Sequence, residues 1–178
     1  FPVPEQFTKE SYALDYLGQL LSNGKKTPLY KVLVKDKKLT SGVNAYNMSL
    51  ELAGSFEISV TANPGVNLTE VEKAIFEAFE MFEKEGFTEE DLAALKARNE
   101  TGFYNGFSSI LSKSFTLGQY QMFKDDPSFY AQDFAGQQAV YYINGISFLA
   151  VIIALFLIGD VPQKTIESGK VVSWTAIR

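Results

Sequence analysis

The apolar period of this chain changes twice, and that change constrains the fold more than any single residue. From Tyr12 to Leu21 the apolar side chains (Tyr12, Ala13, Tyr16, Leu17, Leu20, Leu21) recur at helical spacing. Between Ser41 and Ala62, "SGVNAYNMSLELAGSFEISVTA", the period falls to two: Phe56, Ile58 and Val60 alternate with Glu57 and Ser59. From Val71 to Phe82 helical spacing returns through Val71, Ala74, Ile75, Ala78, Phe79 and Phe82. The connection around Glu51 to Gly54 is too short for a parallel crossover, so the two strands form an antiparallel hairpin. A hairpin with one apolar face must be covered, and the flanking amphipathic helices are the natural cover. The pattern predicts an α/β fold of the layered α+β kind, with an antiparallel-rich sheet covered by helices.

Local signals divide the rest. Thr8 is a suitable N-cap for a helix running to Ser22, and Gly24 in "SNGKK" ends it. Pro28 suits the first turn of a second helix carrying Leu29, Tyr30, Leu33 and Val34. "NPG" at 63–65 is a turn, and Thr69 with Glu72 reads as a capping box opening the third helix. Gly86 stops that helix, and Thr88 caps the next, with Glu89, Glu90 and Asp91 in the first turn where the helix dipole favours acids. Gly102 and Gly106 predict a bend between Thr101 and Phe107. Helical character resumes over 108–124, stops near "DDP", and returns over 128–138. "GKVVSWTAIR" reads as a short strand.

With 46% hydrophobic and 21% charged residues, the 178-residue chain has the composition of a globular domain. Its net charge of −5 supplies no basic surplus to neutralise phosphates, so nucleic acid is not an expected partner. The basic run Lys35 to Lys38 reads as a solvated helix end. The chain contains neither Cys nor His. That excludes thiol nucleophiles, triads built on His, and zinc sites built on Cys or His ligands. The acids Glu83, Glu85, Glu89, Glu90 and Asp91 flank two helix ends and read as solvated charges rather than an acid–base pair. "TANPGVN" lacks the glycine spacing and Lys of a phosphate loop. The aromatic series Phe103, Tyr104, Phe107, Phe115, Tyr120 and Phe123 reads as core packing, with a ligand groove as the other reading. Asn47, Asn67 and Asn99 each open an N-x-Ser/Thr tripeptide, a pattern short enough to arise by chance.

Tyr141 to Gly159, "YYINGISFLAVIIALFLIG", is uncharged and just long enough to span a bilayer as a helix. A helix buried against this chain or a second copy is the competing reading. The start, "FPVPEQF", lacks the features of a signal peptide and an initiator Met. Two readings are open there: a chain that begins inside a longer protein, or a processed terminus.

Five motifs in order give a resemblance. "YALDYLGQLLSNG", "TPLYKVL", "SGVNAY", "GSFEISV" and "FEKEGFTEEDLAALKAR" resemble the C-terminal-type domain of the insulinase/pitrilysin family of zinc metallopeptidases. The catalytic domains of this family carry H-x-x-E-H. The likeness covers roughly residues 1–140, and 141–178 departs from it as an atypical apolar helix and short strand. The resemblance implies a non-catalytic domain, inactive alone, that helps a partner H-x-x-E-H domain enclose and bind peptide substrates. Zinc is then expected in the partner domain, with no cofactor, metal ligand or catalytic residue in this chain. The Arg and Tyr that some relatives contribute to the active site correspond here to Val34 and Ser41. The family's strand before "FPVP" is expected to be missing or reduced to a stub. An extracytoplasmic, periplasmic bacterial location also follows from the resemblance, and the apolar tail offers a homodimer contact. A structural assembly subunit of the same fold and a membrane-anchored domain are the alternatives.

Overall fold

The computed structural model describes residues 1–140, together with the backbone of 163–167 and 171–175. Its elements in order are β1 (Pro2–Val3), α1 (Lys9–Ser22), a π-helix (Tyr30–Asp36), β2 (Thr40–Ser49), β3 (Gly54–Ala62), α2 (Leu68–Glu85), α3 (Glu89–Gly106), α4 (Ile110–Lys124), α5 (Tyr130–Val140), β4 (Gln163–Glu167) and β5 (Val171–Thr175). The antiparallel-rich sheet covered by helices is therefore present.

Strand β3 is the centre of the sheet. Strand β2 pairs antiparallel along one edge of it, from Thr40 opposite Ala62 to Ser49 opposite Gly54, with an irregularity between Thr40 and Val43. Strands β1 and β5 share the other edge: β1 lies against Gly54 and Ser55, and β5 against Ser59 to Thr61. Strand β4 pairs with β5 and completes five strands. The short strand read in "GKVVSWTAIR" is β5; β4 carries no comparable sequence signal. The two-residue β1 lies within "FPVP" itself. The apolar segment Tyr141 to Gly159, and with it the proposed span or dimer contact, lies outside the described residues. Among the described residues no helix is long and apolar enough to cross a membrane.

The core forms where the alternating face of β3 meets three helical stripes. Phe56, Ile58 and Val60 pack with Leu14, Leu17 and Leu21 of α1, Val32 and Leu33 of the π-helix, and Val71, Ala74, Ile75 and Ala78 of α2. Full burial of such a side chain stabilises the fold by about 1.5–3 kcal/mol. Ser22 then ties α1 to the outer edge of β2. Its hydroxyl accepts from the Ala45 N–H at 2.9 Å and donates to the Ala45 carbonyl at 3.2 Å. Satisfying those edge groups blunts a strand that would otherwise be open to pairing.

Three local expectations need correction or refinement. Helix α2 is capped by Asn67, whose side chain accepts the Thr69 N–H at 2.9 Å, so the Thr69–Glu72 box does not form. Asn is at least as good a cap as Thr, and it stands one position before the first helical residue. The predicted break between Thr101 and Phe107 falls at the end of that range: α3 runs unbroken through Gly102 to Gly106, since one helical glycine costs only about 1 kcal/mol, and the chain turns at 107–109. The second helix starts at Pro28 but winds as a π-helix from Tyr30, with the Lys37 N–H bonded to the Val32 carbonyl. That winding buries Leu29, Val32 and Leu33 together. The Thr8 and Thr88 caps are present, each as a capping box closed by Ser11 and Asp91 respectively. Gly86 ends α2 at φ +66°, a conformation that only glycine adopts readily.

Candidate functional site

Helix α1 is apolar enough to be core on most sides, yet it carries Tyr12, Asp15, Tyr16 and Gln19 along one strip. Tyr12, Asp15 and Tyr16 stand at i, i+3 and i+4, which places them on one helical face. That face borders a cleft of about 320 Å³. Ala45, Tyr46 and Asn47 of β2 form its second wall, and Asn99 of α3 with Gln137 of α5 completes the lining. No lysine or arginine is among the lining residues.

Asp133 of α5 anchors the floor. This carboxylate is buried and accepts the Tyr12 hydroxyl at 2.6 Å, the Tyr120 hydroxyl at 2.6 Å and the Gln137 amide at 3.1 Å. Three donors satisfy a charge that would be costly to bury alone. One residue thereby ties α1, α4 and α5 together. The Tyr12 ring lies so close to Gly136 that a Cβ there would stand 2.6 Å from its Cε2 atom. Tyr16 adds a hydrogen bond from its hydroxyl to the Gln137 carbonyl at 3.0 Å.

The electrostatics remove the two phenols bonded to Asp133 from acid–base chemistry. Burial, then the hydrogen bond to Asp133, pushes the Tyr12 hydroxyl far above its ordinary range, and Tyr120 is raised for the same reasons. Neither phenol is a base or nucleophile at neutral pH. Asp15 stands at the open mouth of the cleft, but its walls strip enough water from the carboxyl to push its pKa up to about 6. The Asn47 amide, donating at 3.0 Å, opposes that shift, and the charge of Asp133 adds slightly to it.

The spacing Tyr12-x-x-Asp15-Tyr16 is that of H-x-x-E-H, but its donor set does not fit zinc. Two phenols and one carboxylate cannot replace two imidazoles. Among the described residues no group of three His, Cys, Asp or Glu side chains is close enough to hold a metal ion.

Other residues singled out by sequence lie elsewhere. Val34 is half-buried in the π-helix and Ser41 is exposed at the start of β2; neither lines the cleft. Glu83, Glu85, Glu89 and Glu90 are exposed at helix ends, and Lys31 pairs with Glu85 at 3.8 Å. Asp91 is held below the usual carboxylate range by the Thr88 hydroxyl and backbone N–H, as a capping residue should be. Lys35 to Lys38 are exposed, with Lys37 paired to Glu77.

The aromatic series is not core as expected. Tyr120 is buried, whereas Tyr104 and Phe115 are exposed and Phe103 stacks on Phe134 at 4.2 Å. Phe103, Tyr104 and Phe107 form a partly wet cluster with Phe134 and Tyr130 of α5, whereas Tyr120 of α4 packs against Phe7 and Phe129. Sequence reasoning missed Asp133, Asp15 and the cleft. The available signal was the polar strip at i, i+3, i+4 and i+7 within an otherwise apolar helix. The three tripeptide asparagines all serve locally: Asn47 on Asp15, Asn67 as a cap, and Asn99 accepting from Gln19 at 3.1 Å.

An antiparallel sheet backed by helices thus carries a polar cleft without, among the described residues, a cluster of metal ligands. A model of the Peptidase M16 inactive domain matches residues 1–99, more than half of the chain, and the chain belongs to that family. The zinc protease PqqE of Helicobacter pylori is 31% identical over 109 residues, which are 61% of this chain and 24% of that protein. The chain thus spans about a quarter of that relative. The crystal structure of a protease from Helicobacter pylori superposes with a TM-score of 0.69 at 26% identity, covering 86% of this chain and 36% of that one. The inactive peptidase domain of a Bordetella parapertussis protein described as a zinc protease gives a TM-score of 0.70 at 17% identity. It covers 86% of this chain and 82% of that one, a likeness of fold. The insulinase/pitrilysin-type resemblance and its non-catalytic character hold.

Proposed function

We propose that this domain works as the non-catalytic half of a zinc protease, beside an H-x-x-E-H domain that holds the zinc, and helps to enclose and bind peptide substrates. The carrying observation is the strip Tyr12, Asp15 and Tyr16: it borders a cleft at zinc-motif spacing, with two phenols where that motif has two imidazoles. Membership of the inactive-domain family supports the same reading. No residue of this chain is assigned a catalytic or metal-binding role. We read residues 1–140 as the peptidase-like unit and 141–178 as an atypical apolar segment followed by a short strand, with Val171–Thr175 joining the same sheet. The partner and an extracytoplasmic bacterial location are carried over from the resemblance.

The test combines the purified chain with a separately expressed H-x-x-E-H domain of a zinc protease from the same source. The expected result is a stable complex that cleaves unfolded peptides faster than the catalytic domain alone, with zinc confined to the catalytic partner. Failure to associate, with cleavage unchanged by this chain, would favour an assembly subunit.

A further inference from the structure

The cleft at α1 has a chemistry of its own, and it does not depend on the family reading. We propose that it is a binding pocket for a primary ammonium group of a peptide, a lysine side chain or an amino terminus.

Charge sets the sign of the ligand. The lining contains a carboxylate, Asp15, and no lysine or arginine, while a second carboxylate, Asp133, lies immediately behind Tyr12. An anion has no partner there. A purely apolar occupant is also disfavoured, since it would strip water from the Asp15 carboxylate, whose only hydrogen bond among the described residues is the one from Asn47.

Hydrogen bonding then separates the possible cations. The Asn47 amide occupies Asp15 Oδ1, and Asp15 Oδ2 has no hydrogen-bond partner among the described residues. A guanidinium binds best as a two-pronged fork on both oxygens of a carboxylate, and here one is already engaged. An ammonium is a compact charge with three donors and needs only one of those oxygens. Side-chain amide oxygens of the lining can meet its remaining donors. Three tyrosines, Tyr12, Tyr16 and Tyr46, line the same space, and aromatic rings attract a nearby cation. A divalent metal is a poor fit, because one available carboxylate is too little negative charge to replace its hydration shell. Asp133 is already saturated by three donors. At about 320 Å³ the cleft has room for a lysine side chain.

The experiment is a proton–nitrogen NMR titration of the full ¹⁵N-labelled chain. The first probe is Nα-acetyl-lysine methylamide, with its Nζ-acetylated analogue as the neutral control. The arginine counterpart tests the fork argument, and dialanine methylamide tests an amino terminus. Saturable shifts are expected in the side-chain amides of Asn47, Asn99 and Gln137 at roughly millimolar ligand. The neutral analogue should give none, and arginine should bind more weakly than lysine. Whichever of the lysine and dialanine probes binds identifies the source of the ammonium. Asp15→Asn should weaken binding at least about tenfold. Glu10→Gln, which removes an exposed carboxylate of the same helix, should leave it unchanged. The proposal is overturned if the neutral analogue shifts the same amides, if Glu10→Gln weakens binding as much as Asp15→Asn, or if neither ammonium probe perturbs the cleft.

Discussion

Asp133 is the position at which one substitution tests most of this structure. It is 5% exposed and accepts two tyrosine hydroxyls from helices α1 and α4, both at 2.6 Å. A hydrogen bond to a charged group contributes about 1.5–3 kcal/mol, and a buried hydroxyl left unpaired costs about 1–3 kcal/mol. Asp133→Ala deletes these two bonds and the one from the Gln137 amide, and orphans both phenols at once. The contributions share one acceptor and do not add in full, so the expected loss is about 3–5 kcal/mol. Typical domains have only about 5–15 kcal/mol in total. Tyr12→Phe and Tyr120→Phe, each removing one donor, should cost about 1.5–3 kcal/mol. The decisive variant is the triple Tyr12→Phe, Tyr120→Phe, Asp133→Leu. It removes every member of the triad, leaves no orphaned phenol, and should recover most of what Asp133→Ala loses. Urea unfolding followed by far-ultraviolet circular dichroism gives these values directly, provided that the slopes agree among variants. A loss below about 1 kcal/mol for Asp133→Ala, or a triple variant no better than it, would refute the claim that the triad binds the three helices together.

Other positions give further tests. Asp15 has its pKa raised in the folded state to about 6, so the folded state binds more protons than the unfolded one between roughly pH 4 and 6. Stability should therefore fall as pH rises through that window and level off above it. Asp15→Asn should flatten this decline and be the more stable form at pH 7.5, as paired urea titrations from pH 4 to 8 would show. Gly136→Ala sets a helix-propensity gain of about 1 kcal/mol against a methyl 2.6 Å from the Tyr12 ring. That ring is buried and tied to Asp133, so the clash should win by about 1–3 kcal/mol. Leu33→Ala, at a fully buried position of the π-helix, should cost about 2–5 kcal/mol, and thermal unfolding would reveal it.

The periods and caps of this sequence determined its elements. Phe56, Ile58 and Val60 placed a strand, Val71 to Phe82 placed a helix, and Thr8, Thr88 and Gly86 marked the boundaries. Each of these signals acts within about one helical turn or a few strand residues, a range over which backbone sterics and local hydrogen bonds dominate. Competition between equally local signals explains the small errors. Asn67 took the cap that Thr69 seemed to offer, and one tolerable glycine did not bend α3. The missing His and Cys determined the absence of those ligands and nucleophiles before any fold was known. The cleft belongs to tertiary structure alone. Tyr12 and Asp133 are 121 residues apart in sequence, as are Tyr16 and Gln137. Strand β5 joins the central strand β3 from more than a hundred residues away. Composition and periodicity show which residues turn inward, but they do not show which distant residue each one meets. That pairing is decided only when the helices close on the sheet, and there it leaves one carboxylate buried among three donors and another at the mouth of a cleft.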